Sequence, residues 1–232
     1  MSRAKLSFAW ITLSVLAAAT ILVPMAHAGP PLICWPFDIG NAKSLPWGSS
    51  GWKAPRADYD LTQLSQDTLA LLSPMTPVVV RMETMRRATI YASQNASIAE
   101  KLLSALQARA TEAEAKGHPD ARAWFDFGYL AESYKQMNVF PASRHSAPAI
   151  DGYGYVQKAI ALRGGDPEME FAAALITMGR KSQPGGGHFQ KAVAGAADGS
   201  LLAKNLVSHC RMLGLTAANV TELRTQVAEA KK

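Results

Sequence analysis

From Asp60 to Val227 the apolar residues recur at three- and four-residue spacing, in runs that open at Asp, Asn, Ser or Thr and close at Gly or before Pro. That spacing gives each run one buried helical stripe, and the punctuation supplies its caps. No stretch alternates apolar and polar residues with β-branched enrichment, so the chain reads as all-α. Asp60 is expected to cap a helix through Leu61, Leu64, Leu69 and Leu72, closed before Pro74. Thr76-Pro77 reads as N-cap and first helical residue, followed by Val78, Met82, Met85, Ala88, Thr89 and Ala92. Asn95 opens a run that Gly117 stops, and Pro119-Asp120 opens another carrying Trp124, Phe127, Gly128, Leu130, Ala131 and Tyr134. After a connection containing Pro141 and Pro148, helices are expected at about 152–162, after Asp166-Pro167, from Phe189, from Ser200 to Cys210, and from a Thr216 cap through Val227.

Two segments precede these helices. Residues 1–28 combine Arg3 and Lys5, an uncharged stretch over 6–23, Pro24 and the small-residue pattern Ala26-His27-Ala28. This is the form of a secretory signal peptide cleaved after Ala28, so the chain is expected to be exported, bacterial in type, to the periplasm or beyond. No second apolar run follows, and no membrane span is expected after cleavage. Removing Arg3 and Lys5 lowers the formal charge from +6 to +4. The remaining basic residues are scattered, without the stripe or motif of a nucleic-acid binder. Residues 29–57 carry prolines at 30, 31, 36, 46 and 55, which exclude a continuous helix, and Trp35, Trp47 and Trp52, which are unlike a disordered linker. An extended segment lying across the helical body (58–232) with its aromatics buried is the expectation.

The residues that carry chemistry are sparse. Cys34 and Cys210 are an even pair in an exported chain and form a candidate disulfide, the alternative being two separate buried thiols. His118, His145, His188 and His209 lack ligand spacing, and no metal or cofactor motif is present. The glycines at 185–187 precede a helix without the strand and G-K-[ST] of a phosphate loop. Glu168/Glu170 and Glu112/Glu114 are spaced by two and read as solvated helix charges. No catalytic constellation emerges.

A period does. The run Tyr155 to Ile160 (YVQKAI) followed by Gly164-Gly165-Asp166-Pro167 is echoed by Phe189 to Val193 (FQKAV) followed by Asp198-Gly199-Ser200, with Ala159 and Ala192 standing 33 residues apart. With Trp124, Phe127, Gly128 and Ala174 in first-helix positions, residues 120–213 resemble tetratricopeptide-type repeats, whose period is about 34. The connection from Tyr134 to Gly152 is longer than that family's turn, glycine replaces most unit-end prolines, and the pattern is absent from 58–117. The resemblance implies helical hairpins stacked as a short solenoid, with a concave surface for a protein or peptide partner. Exposed first-helix side chains would carry it, with Tyr129, Lys135, Arg180 and Asn205 as candidates. Trp35, Trp47 and Trp52 are candidates for lining a groove. The functional expectation is a binding or scaffolding protein of the cell envelope, without cofactor. The alternatives are a hydrolase of cell-wall polymers with its site between the aromatic segment and the helices, or a structural envelope component.

Overall fold

The computed structural model describes residues 29–48, 51–140, 150–178 and 187–229, so the expected signal peptide and Arg180 lie outside the described residues. Among these residues are α1 (Pro31–Cys34), α2 (Leu64–Leu71), α3 (Val78–Ala92), α4 (Ala96–Ala115), α5 (Ala121–Met137), α6 (Gly152–Leu162), α7 (Pro167–Thr177), α8 (His188–Gly195), α9 (Leu201–His209) and α10 (Val220–Glu229). The described residues contain no strand beyond an isolated bridge between Trp47 and Pro55. The fold is all-α.

Local chemistry sets most of the helix starts. The side chains of Asn95, Asp120, Asp166 and Ser200 each accept from backbone N–H groups two or three residues on, satisfying donors that the first helical turn leaves open. Three starts differ from expectation. A 3-10 turn, Leu61–Gln63, precedes α2; Pro77 takes the cap position of α3; and α10 begins at Val220, where Asn219 Oδ1 accepts from Glu222 N at 2.9 Å. The segment 29–57 is also not wholly extended. Pro31 sits at the first helical position, where its missing N–H costs nothing, and the single turn of α1 buries Leu32 and Ile33. Burying each such side chain contributes roughly 1.5–3 kcal/mol.

Helix α3 is the centre of the molecule, in contact with α1, α2, α4, α5 and α7. Almost its whole circumference is buried, which periodicity alone did not anticipate, and the buried positions include Arg81, Glu83 and Arg86. Isolated charges in such a place would cost several kcal/mol apiece. Each is instead paired and hydrogen-bonded. Glu83 Oε2 accepts from Arg86 Nε at 2.7 Å and from Phe37 N at 3.1 Å, while Glu83 Oε1 accepts from Arg86 Nη2 at 2.8 Å and Arg87 Nε at 2.7 Å. The remaining guanidinium donors reach the N-terminal segment: Arg86 Nη1 donates to Ile33 O at 3.2 Å and Trp52 O at 2.6 Å, and Arg87 Nη1 to Leu45 O at 2.7 Å. Tyr91 Oη adds a bond to Pro46 O at 2.6 Å. The segment is therefore a strap riveted to α3 by buried charge-assisted bonds. Beneath α3, Arg81 Nη1 pairs with Asp126 of α5 at 2.5 Å, both side chains fully buried. Burial pushes the Asp126 carboxyl up to about 6, against the opposing pull of Arg81.

From α5 onward the helices follow one another in space, α5 on α6, α6 on α7, α7 on α8, with α10 lying on α8 and α9. Gly128 and Gly152 set a close crossing of α5 and α6: a Cβ on either would stand 2.5 Å from the carbonyl oxygen of the other. Ala159 and Ala192, the paired small residues of the period, are both fully buried. The strap ties this half to α3 as well, because Asp38 N donates to Asn205 Oδ1 of α9 at 2.9 Å and Phe37 meets Phe171 of α7 edge-on.

Replacing Glu83 with Gln leaves the Arg86 guanidinium buried without its counter-charge. The expected cost is about 3–5 kcal/mol in urea unfolding, whereas Arg87→Ala, whose side chain is 19% exposed, is expected to cost less than half of that. Equal midpoints for Glu83→Gln and the parent would remove the network from its structural role.

Candidate functional site

The candidate site residues fall into different places. Trp47 is half-buried, its ring facing the Arg86 and Arg87 guanidinium groups at 5.0 and 5.5 Å and meeting Tyr91 edge-on. Trp35 is half-buried with its ring 6.1 Å from that of His209. Trp52, expected to be buried, is 39% exposed, because its backbone carbonyl rather than its ring is the group Arg86 holds. Tyr129 and Asn205 are fully buried and not the exposed contacts expected of them. Tyr129 stacks on Phe125 at 5.5 Å, and Asn205 reads the strap, its Nδ2 donating to Asp38 O and Leu201 O at 2.8 Å. Lys135 is half-buried and donates to Glu132 Oε1 at 2.7 Å. Among the described residues the candidates share two localities: Trp35 and Asn205 at the contact of the strap with α9, and Trp47 and Trp52 around Arg86.

Cys34 and Cys210 are free thiols in the structure rather than a disulfide. Cys34 Sγ lies against Gly29 near Arg86, and burial raises its pKa. Cys210 Sγ donates to Val207 O at 3.1 Å at the end of its own helix. The two side chains are committed to different neighbours.

Two polar clusters that the sequence did not disclose lie inside the helical half. In the first, His188 Nδ1 bonds Glu170 Oε2, and His188 Nε2 stands 2.7 Å from Tyr153 Oη, which also accepts from Gln157 Nε2 at 3.1 Å. The imidazole thus bridges the Glu170 carboxylate and the Tyr153 phenol, with the donor at the Nε2 end set by its tautomer. Lys191 Nζ reaches Glu170 Oε1 at 3.2 Å. This chain joins α6, α7 and α8. Glu170 is therefore a buried connector, not a solvated charge. Its neighbour Glu168 accepts from Val79 N at 3.1 Å, and burial raises its pKa. In the second cluster, His209 stacks on Phe37 (ring centroids 5.0 Å apart) and meets Phe171 edge-on. Its Nδ1–H donates to Asn205 O at 2.9 Å, and Nε2 is buried without a partner in hydrogen-bonding geometry. Burial drives the imidazole pKa down to about 4. Among the described residues no three His, Cys, Asp or Glu side chains converge as metal ligands.

One of several open depressions among the described residues is a groove of about 670 Å³ between α9 and the start of α10. Its floor is apolar, from Ala203, Val207 and Val220, and its rim carries Asp198, Lys204 and Asn219. A second depression of about 450 Å³, lined by Gln190, Val193 and Ala194, lies on the α8 side of α10. Groove dimensions and an apolar floor with a polar rim suit binding of an extended or helical segment. The groove could not be read from sequence, since its walls come from two helices whose relative placement no local pattern encodes.

The His209 imidazole gains its proton near pH 6.5 in the unfolded chain and near 4 in the fold, so the fold loses stability as pH falls through that interval. Asp126 has the opposite sign: its raised carboxyl contributes stability below about 4, which fades as pH rises through about 6. A difference measurement separates the two. Between pH 7.5 and 4, the stability of His209→Phe relative to the parent is expected to improve by up to roughly 3 kcal/mol. A pH-independent difference would contradict the buried neutral imidazole. Comparison with known proteins places no relative beside this chain: no family model, no curated protein and no solved structure matches it.

Proposed function

We propose that this chain is an exported helical-repeat protein of the cell envelope that binds a protein or peptide segment, with the α9–α10 groove as its contact surface. The observation that carries the reading is the groove itself, apolar along its floor and bordered by Asp198 and Lys204. Amphipathic segments are recognised by this combination, the floor supplying affinity and the charged rim orientation. The stacked order of α5 to α8, the tight Gly128–Gly152 crossing and the buried Ala159 and Ala192 support a tetratricopeptide-like arrangement over 120–213. Export rests on residues 1–28, and cleavage after Ala28 leaves every core residue of the described fold in place, the first being Leu32. The aromatic strap serves as structure, since Trp47 and Phe37 are engaged by α3 and α7.

The test is photo-crosslinking in a bacterial host, with the photoreactive residue at Lys204 or Ser208 and, as control, at Lys101 on the exposed face of α4. One dominant adduct from the groove positions, absent from Lys101, on a protein whose mature N-terminus is Gly29, is the expected result. Diffuse adducts from all three positions would contradict the reading.

A further inference from the structure

The last described helix is attached to the body by few polar contacts. Residues 216–229 hold themselves together: Gln226 Nε2 donates to Thr216 O at 2.7 Å, Ala218 N to Glu222 Oε2 at 2.8 Å, and Asn219 caps α10. Among the described residues, every hydrogen bond from this unit to the rest of the chain is made by one side chain, Arg224. Its guanidinium donates to Val193 O at 3.4 Å, to Ala196 O and to Asp198 Oδ1 at 2.8 Å. Those acceptors are the open carbonyls at the C-terminal end of α8 with an added carboxylate, a cradle that favours a cation. The apolar part of the attachment is Val220, Leu223 and Val227, on one face of α10, with Ala217 packed against the core ahead of the helix. Gly214, in the left-handed conformation with φ 73°, stands just before the unit, and a Cβ there would meet nothing within 4 Å.

Depressions of about 670 and 450 Å³ flank α10 on its α9 and α8 sides, each walled in part by this unit itself, through Val220 in one and Val227 in the other. We propose that residues 216–229 are a hinged arm occupying a helix-docking surface. The partner of that surface is an amphipathic helix with apolar residues at i, i+3 and i+7 and an arginine at i+4, which displaces the arm. The chemistry of the partner is read from the arm itself: Val220, Leu223 and Val227 fill the apolar bed, and Arg224 fills the carbonyl–carboxylate cradle. This rests on the binding reading above and names its partner class. What it shares with that reading is the α9 side of the groove, Ala203, Lys204 and Val207, because Val220 and Asn219 leave with the arm.

A fluorescein-labelled peptide of residues 216–229, titrated with the full chain and followed by anisotropy, tests this directly. The parent chain is expected to bind weakly, because its own arm competes. Full-chain Arg224→Ala and Leu223→Asp each loosen the resident arm by a different contact, and each is expected to bind the parent peptide at least tenfold more tightly. A peptide carrying Leu223→Asp is expected not to bind. Circular dichroism confirms that either variant retains the helical content of the body. The proposal is overturned if no form of the protein binds the peptide, if parent and both variants bind it equally, or if the Leu223→Asp peptide binds like the parent peptide. Such a result leaves the crosslinking outcome at Lys204 untouched, so the two readings fail separately.

Discussion

The Glu83 carboxylate, 1% exposed and gripped by Arg86 and Arg87, is the interaction on which the rest of the architecture depends. It is shared by two guanidinium groups and offsets one of their two positive charges, and those groups in turn hold the carbonyls of Ile33, Leu45 and Trp52. Without it the Arg86 and Arg87 donors that fix those carbonyls would lose their counter-charge. The strap brings Leu32, Ile33 and Phe37 into the core and Asp38 to Asn205, so that α3, α7 and α9 share one covering element. A buried ion network of this kind adds little net stability over an apolar equivalent, but it fixes one register for an otherwise irregular segment. That is the physical reason a segment interrupted by five prolines can still be structural.

What the sequence disclosed was what local chemistry decides. Asn95, Asp120, Asp166 and Ser200 each start the helix they were expected to start, because a cap is settled within three residues. Gly128 stood among the first-helix positions of the repeat resemblance, and in the fold it meets Gly152 at a close helix crossing. Burial of charge was not legible. Arg81, Glu83 and Arg86 look like surface residues until their partners arrive from the strap and from α5, tens of positions away in sequence. Tyr129 and Asn205 failed as exposed contacts for the same reason: a repeat register assigns them an outer face, but α3 and the strap cover it. The Asp38–Asn205 bond spans 167 positions and has no local trace.

The two halves of the molecule are therefore held by different means. Around α3, charge pairs and core side chains are interlocked, and His209 and Asp126 are buried at the cost of shifted protonation. At the C-terminal end one arginine and three apolar side chains hold a helix that bonds mainly to itself. Regions with few tertiary bonds open at lower free energy than the core, and binding surfaces are drawn from such regions. The contrast between a riveted strap and a lightly seated arm links the fold to the proposed activity.

The most direct measurement of that contrast is hydrogen–deuterium exchange on the full chain, resolved by peptide. The account predicts that the strap around Phe37 and Asp38 exchanges in the same slow class as α3, while the amides of α10 exchange at least 100-fold faster than those of α9. Equal protection of α10 and α3, or a strap that exchanges as fast as a free loop, would contradict it.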